Sequence, residues 1–201
     1  MAQSTEIEIK GLDLLVHPDA SRALLGEHII TESQTLRRRG WLDRAKEIAR
    51  TPNSALFYVS GLFFQVPTEE GFYLVQNMSV GAAVALEEQG RIVHFQELIG
   101  NRFFLFSGDL GTGNFLKVAP DAERMRMLFE GRGLSYNPST LELTGYGEYL
   151  EFCVKSWVGL LGDRLGLPKN HRTFLPALSL KFVDDVNIFG GLENLTERFT
   201  P

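Results

Sequence analysis

Ala82-Ala83-Val84-Ala85-Leu86-Glu87-Glu88-Gln89-Gly90-Arg91-Ile92-Val93-His94-Phe95-Gln96-Glu97-Leu98 settles whether the strands form one continuous meander. Read as two strands, 82–86 and 91–98, turned back at Glu88-Gln89-Gly90, it extends a run of short strands into a meander. So short a connection joins antiparallel neighbours, because a parallel pair needs a crossover of about a dozen residues or more. Its three alanines and two glutamates before residue 89 are also good helix formers, so 82–88 stays open between strand and helix. The surroundings favour strands. Dense β-branched and aromatic residues with turn punctuation mark 56–59, 62–64, 72–75, 102–106 and 114–118, and Gly100-Asn101 reads as a second tight turn.

Working outward, Ile7 and Ile9 alternate with Glu6 and Glu8, and the apolar run Leu12, Leu14, Leu15, Val16 stops at Pro18. Thr31 and Gln34 have capping-box spacing, and Trp41, Ala45 and Ile48 recur at helical period up to Pro52, with Gly40 a weak point inside. Pro120, Asp121, Glu123 and Gly131 bracket a short helix over 120–130. A strand over 141–144 precedes a helix over 147–165, in which Tyr146, Leu150, Cys153, Val154, Trp157, Leu161 and Leu165 form one stripe that ends at Gly166 and Pro168. A strand over 178–183 and a helix over 192–199 close the chain. The expected architecture is α+β within a single globular domain, 1–201. Five to seven mostly antiparallel strands form a β-meander packed against the long C-terminal helix, with the N-terminal helix at the edge.

Composition narrows the function. The 201 residues are 44% hydrophobic and 22% charged, which excludes a disordered or fibrous chain. A net charge of −5 repels a polyanion and argues against nucleic acid as the partner. One cysteine allows neither an internal disulfide nor a paired-thiol metal site, and suits a reducing compartment. The first residues show no basic-then-apolar export pattern, and the most apolar stretch, 55–64, is far short of the roughly 20 residues that span a bilayer. A soluble, cytoplasmic protein without a membrane partner is expected.

Gly108-Asp109-Leu110-Gly111-Thr112-Gly113 follows an apolar run and has the glycine spacing of the first half of a P-loop. The string resembles the P-loop of the small ATPases of tRNA threonylcarbamoyl modification, and 178–183 followed by Asp184-Asp185 looks like a Walker B strand. That resemblance implies phosphate binding by the glycine loop. The Lys and Ser/Thr positions that carry the chemistry are here Asn114 and Phe115, and a Gly-rich turn between strands is the alternative. Asn77-Met78-Ser79-Val80-Gly81 resembles the Asn/Asp-x-Ser loop of PilZ barrels, which implies a cyclic dinucleotide. The arginines 37, 38, 39 and 44 lack that family's Arg-x-x-x-Arg spacing. No resemblance spans the chain, and no cofactor is expected.

Single residues offer catalytic candidates: His94 with Glu97 three positions on, His171, and Asp109. Lys169, His171 and Arg172 form a basic cluster suited to an anion, although cations just past a helix C-terminus also answer the helix dipole. Tyr58, Tyr73, Trp157 and His94 are candidate lining for an apolar ligand cavity. Cys153, on the apolar stripe, reads as structural, and no metal site is expected. Fifteen phenylalanines, several in 56–64 and 103–106, suggest that both sheet faces carry aromatics. Three functional classes follow in order. The first is a non-enzymatic interaction or assembly protein, with a protein partner or a homo-oligomer formed through aromatic-rich sheet surfaces. The second is a small-molecule-binding module, and the third an enzyme with its site between sheet and helix.

Overall fold

The computed structural model describes residues 6–18, 32–60, 63–68, 71–76, 82–107, 121–148 and 153–180. Its elements in chain order are β1 (Ile7–Ile9), β2 (Gly11–Val16), α1 (Glu32–Arg50), β3 (Ser54–Ser60), β4 (Phe63–Thr68), β5 (Gly71–Gln76), α2 (Ala82–Ile99), β6 (Phe103–Ser107), α3 (Ala122–Glu130), β7 (Leu134–Tyr136), β8 (Glu142–Gly147), α4 (Lys155–Arg164) and β9 (Arg172–Phe174). Five strands form one all-parallel sheet in the order β6-β3-β2-β8-β9. β1 and β7 make a separate parallel pair, and among the described strands β4 and β5 alone pair antiparallel.

The expected antiparallel meander is therefore corrected to an α/β fold whose described residues form mostly parallel strands and four helices. The decisive stretch is one helix, α2. Val84, Ala85, Glu88, Ile92, Phe95 and Ile99 are its buried positions, a spacing of three and four that a strand cannot produce. Gly90 lies on its open side, with no heavy atom within 4 Å of an added Cβ, so it marks no turn. Gly100-Asn101 joins α2 to β6 and is not a hairpin. The expected helix over 147–165 is also shortened: residues through Gly147 continue β8, a π-type turn covers 153–154, and α4 starts at Lys155. Tyr146 is thus a strand residue. Asp121 caps α3, its carboxylate accepting from the Arg124 N–H at 2.8 Å. The strand expected over 114–118 and the helix over 192–199 lie outside the described residues.

Parallel strands buried on both faces read as unbroken apolar runs. Leu14-Leu15-Val16, Ala55 to Val59 and Phe103-Phe104 are such runs, all buried. One face packs Leu12, Leu14, Phe57, Val59 and Phe104 against Phe129 of α3 and Trp157, Val158 and Leu161 of α4. The other packs Leu15, Leu56, Tyr58 and Tyr146 against Trp41, Ala45 and Ile48 of α1 and Ile92 and Phe95 of α2. Helices thus cover both faces, and the described aromatics of 56–60 and 103–106 lie largely in the interior. None of the described helices is long and apolar enough to cross a membrane.

Arg102 ties the two halves of the first crossover together. Its guanidinium donates to the carbonyls of Ile48, Ala49, Thr51 and Ser54 at 2.5 to 3.0 Å, closing the C-terminus of α1. Arg102→Met is expected to cost about 2 kcal/mol, the worth of charged hydrogen bonds lost from a helix end. Urea unfolding checks it.

Candidate functional site at the carboxyl edge of the sheet

All five strands point one way, so the sheet has a carboxyl edge and an amino edge with different connections. At the amino edge, 51–53 and 100–102 suffice to join helix to strand. Beyond the carboxyl edge the next described helix starts only at Glu32 after β2, at Ala82 after β3 and the β4–β5 pair, and at Ala122 after β6. Long connections on a rigid parallel sheet are where binding residues collect. From β2 the chain winds through β3 to β6, then returns to β8 on the other side of β2 and continues to β9. The helices that follow β2 and β8, α1 and α4, pack on opposite faces of the sheet. In open parallel sheets such an order reversal leaves a crevice at the carboxyl ends, where ligands bind.

At that reversal Val16 is in register with Gly147, the last pair of the two strands. The next residues are His17 and Glu148, held by main-chain bonds: the His17 N–H donates to the Val59 carbonyl at 2.8 Å, and the Glu148 N–H to the Val16 carbonyl at 3.0 Å. His17 has φ +46, a left-handed conformation uncommon outside glycine. Gly147 has φ +130, and a Cβ there would sit 2.1 Å from the Val16 oxygen, so only glycine fits. On the next strand Ser60 ends β3, in register with Ser107 of β6. The carboxyl edge thus carries Ser107, Ser60, His17 and Glu148 on four adjacent strands.

His17, Ser60, Glu148 and Glu88 of α2 are each no more than 1% exposed. Glu88 accepts hydrogen bonds from the Tyr58 hydroxyl at 3.1 Å and the Ser60 hydroxyl at 3.0 Å. Arg91 donates to the Tyr58 oxygen at 3.4 Å and lies over the Trp41 ring. This network fixes α2 against the end of β3 and orients the Ser60 hydroxyl. α1, α2 and α4 each run back to the amino edge, where the chain enters β3, β6 and β9, so their N-terminal partial positive charge lies on the same side as the two carboxylates.

A second buried polar group lies deeper, in the middle of β2. The Arg44 guanidinium donates to both oxygens of Asp13 at 2.8 and 3.1 Å, and Tyr146 also bonds to that carboxylate. Burial pushes the Asp13 carboxyl up from the ordinary range, and the Arg44 contacts pull it only partly back. The Tyr146 phenol is pushed well up, first by burial and then by the Asp13 charge. Arg44 is held protonated chiefly by its bond to Asp13. This ion pair ties α1 to the central strand, away from the carboxyl edge.

The residues singled out from sequence are scattered. His94 and Glu97 are exposed on α2, on a helix and not a strand. His171 is at the amino edge, its Nδ1 3.2 Å from the Leu141 carbonyl and 3.6 Å from Glu142. Arg172 meets Asp163 at 2.7 Å and the carbonyls of Gly159 and Leu167, bracing the end of α4, while Lys169 is exposed nearby. Trp157 is buried against the opposite sheet face. Tyr58 alone of these belongs to the carboxyl-edge network. Tyr73 lies in β5 and its side chain is outside the described part, as are Asp109, the glycine-rich 108–113 and the segment 77–81. Cys153 is half-buried, with its thiol pushed up to about 11 by burial, which leaves little reactive thiolate. Among the described residues no three His, Cys, Asp or Glu side chains converge on a metal position.

Comparison with family models, curated proteins and solved structures finds no match to this chain.

Proposed function

We propose that the chain binds a small polar molecule at the carboxyl edge of its sheet, in the crevice between β2 and β8. One observation carries the reading: the strand order reverses between these two strands, and the next residues beyond that pair are His17 in a left-handed conformation and the buried Glu148. Strained backbone costs stability, and it concentrates where a ligand is held. Glu148 supplies an acceptor and His17 an imidazole that donates or accepts, which suits a ligand bearing hydroxyl or amine hydrogens. Glu88 and Ser60 form the neighbouring wall. The single half-buried thiol suits a reducing compartment such as the cytoplasm.

Thermal unfolding against a panel of sugars, nucleosides, nucleotides and amino acids tests this. A binder at one hundred times its Kd is expected to add about 2.7 kcal/mol of stability. Glu148→Gln, and His17→Asn, chosen because Asn tolerates the left-handed backbone, are expected to fold and to lose that gain. A panel that stabilises nothing, or a ligand that stabilises both variants as it does the wild type, overturns the reading.

A further inference from the structure

We infer that Gly40 and Trp41 of α1 are positioning residues for the carboxyl-edge site, because they latch the segment 175–180 whose main chain clamps the end of β8 at Glu148. The inference rests on the site reading above. After β9 the chain stays bonded to β8 at two points: the Leu175 N–H donates to the Gly145 carbonyl at 3.0 Å, and the Leu180 N–H to the Gly147 carbonyl at 2.9 Å. Between them it leaves the strand in a single 3₁₀ turn, Pro176–Leu178, and returns to bridge in parallel beside Glu148. The Ser179 hydroxyl donates to the Leu175 carbonyl at 2.8 Å and closes the base of this excursion.

The tip of the excursion is seized by α1. The buried Trp41 indole N–H donates to the Leu178 carbonyl at 2.8 Å, so the indole needs the turn in this position and no other. The Leu178 side chain fills a notch that exists because residue 40 has no Cβ, since one added there would lie 2.4 Å from the Leu178 Cδ2. Glu148 is consequently held on both sides, by Val16 through its own N–H and by the returning strand at Leu180. Displacing Leu178 pulls on Leu180 and frees one of those sides. Glycine inside a helix is otherwise unfavourable relative to alanine, and this contact accounts for it.

The test is NMR on the full chain in Gly40→Ala, Trp41→Phe and the double variant Gly40→Ala with Leu178→Ala, which makes room for the new methyl. Amide exchange at Leu180 and the side-chain carboxyl 13C resonance of Glu148, assigned with Glu148→Gln, are read together. Gly40→Ala and Trp41→Phe are expected to speed Leu180 exchange at least tenfold relative to His17 and to shift the Glu148 resonance. The double variant is expected to restore both. A lowered melting temperature with Leu180 exchange and the Glu148 resonance unmoved would reduce these residues to core packing and overturn the inference. If Glu148→Gln leaves ligand binding intact, the site reading falls, whereas an unmoved Leu180 defeats the latch alone.

Discussion

Arg44→Met is expected to remove about 3–5 kcal/mol of stability at pH 7, because it leaves the buried Asp13 carboxylate without its cation. That is a large share of the roughly 5–15 kcal/mol of an ordinary domain. The pH dependence has a definite sign. Burial already raises the Asp13 carboxyl above its unfolded value, and loss of Arg44 removes the main group that lowers it. Between about 3.9, the unfolded value, and the raised folded value, the folded chain holds a proton that the unfolded chain lacks. Acidification through that window therefore stabilises the fold. The Arg44→Met deficit is expected to shrink as pH falls from 7 towards 5, with Tyr146 and Glu47 the other titratable groups that contribute to Asp13. Asp13→Leu with Arg44→Met is expected to recover most of the loss and to lack this component, as urea unfolding across that range will show.

Gly147→Ala is the second large effect. Alanine resists φ +130, and its Cβ would meet the Val16 oxygen at 2.1 Å and the Val16 nitrogen at 2.7 Å. Both obstacles are main chain, so no neighbouring side-chain change relieves them. A loss above about 4 kcal/mol, or no folding at all, is expected. Gly145, two residues earlier on β8, is the contrast. Its added Cβ would lie 2.2 Å from the Val158 Cγ2 of α4, a side chain that can be trimmed. Val158→Ala is expected to rescue Gly145→Ala in part and Gly147→Ala not at all, measured as paired unfolding free energies.

The sequence made the elements easier to read than their arrangement. The run ending at Val16, the Trp41-Ala45-Ile48 spacing and the short helix before Gly131 each follow from local chemistry, and the structure has them, with Asp121 at the N-cap of that helix and not in its first turn. Strand direction does not follow from local chemistry, and it turned on one segment. In 82–98 the β-branched pair Ile92-Val93 and the exposed Gly90 suggest strand and turn, yet Val84, Glu88, Ile92, Phe95 and Ile99 already have the period of a helix face. The acidic member of that face concealed it, because Glu88 is buried for its bonds to Tyr58 and Ser60 and not for hydrophobicity. Once 82–99 is a helix, neighbouring apolar runs can pair in parallel.

The candidate site was illegible for a related reason. His17, Ser60 and Glu148 are far apart in the chain and belong to no motif. They share only a position, just where an apolar run ends at the carboxyl end of a parallel strand, and that position has meaning only once direction and order are known. The basic cluster at Lys169, His171 and Arg172 had the opposite fate. Its pattern was visible, but Arg172 is taken up by Asp163 and by the end of α4.

The most direct test of the carboxyl-edge site is a backbone amide NMR map of the wild-type chain with the same panel added in pools. Perturbations are expected to gather at His17, Ser60, Glu88 and Glu148 and to leave Asn101, Gly133 and His171 at the amino edge unmoved. Perturbations centred on the amino edge, or none from any pool at millimolar concentration, would contradict it.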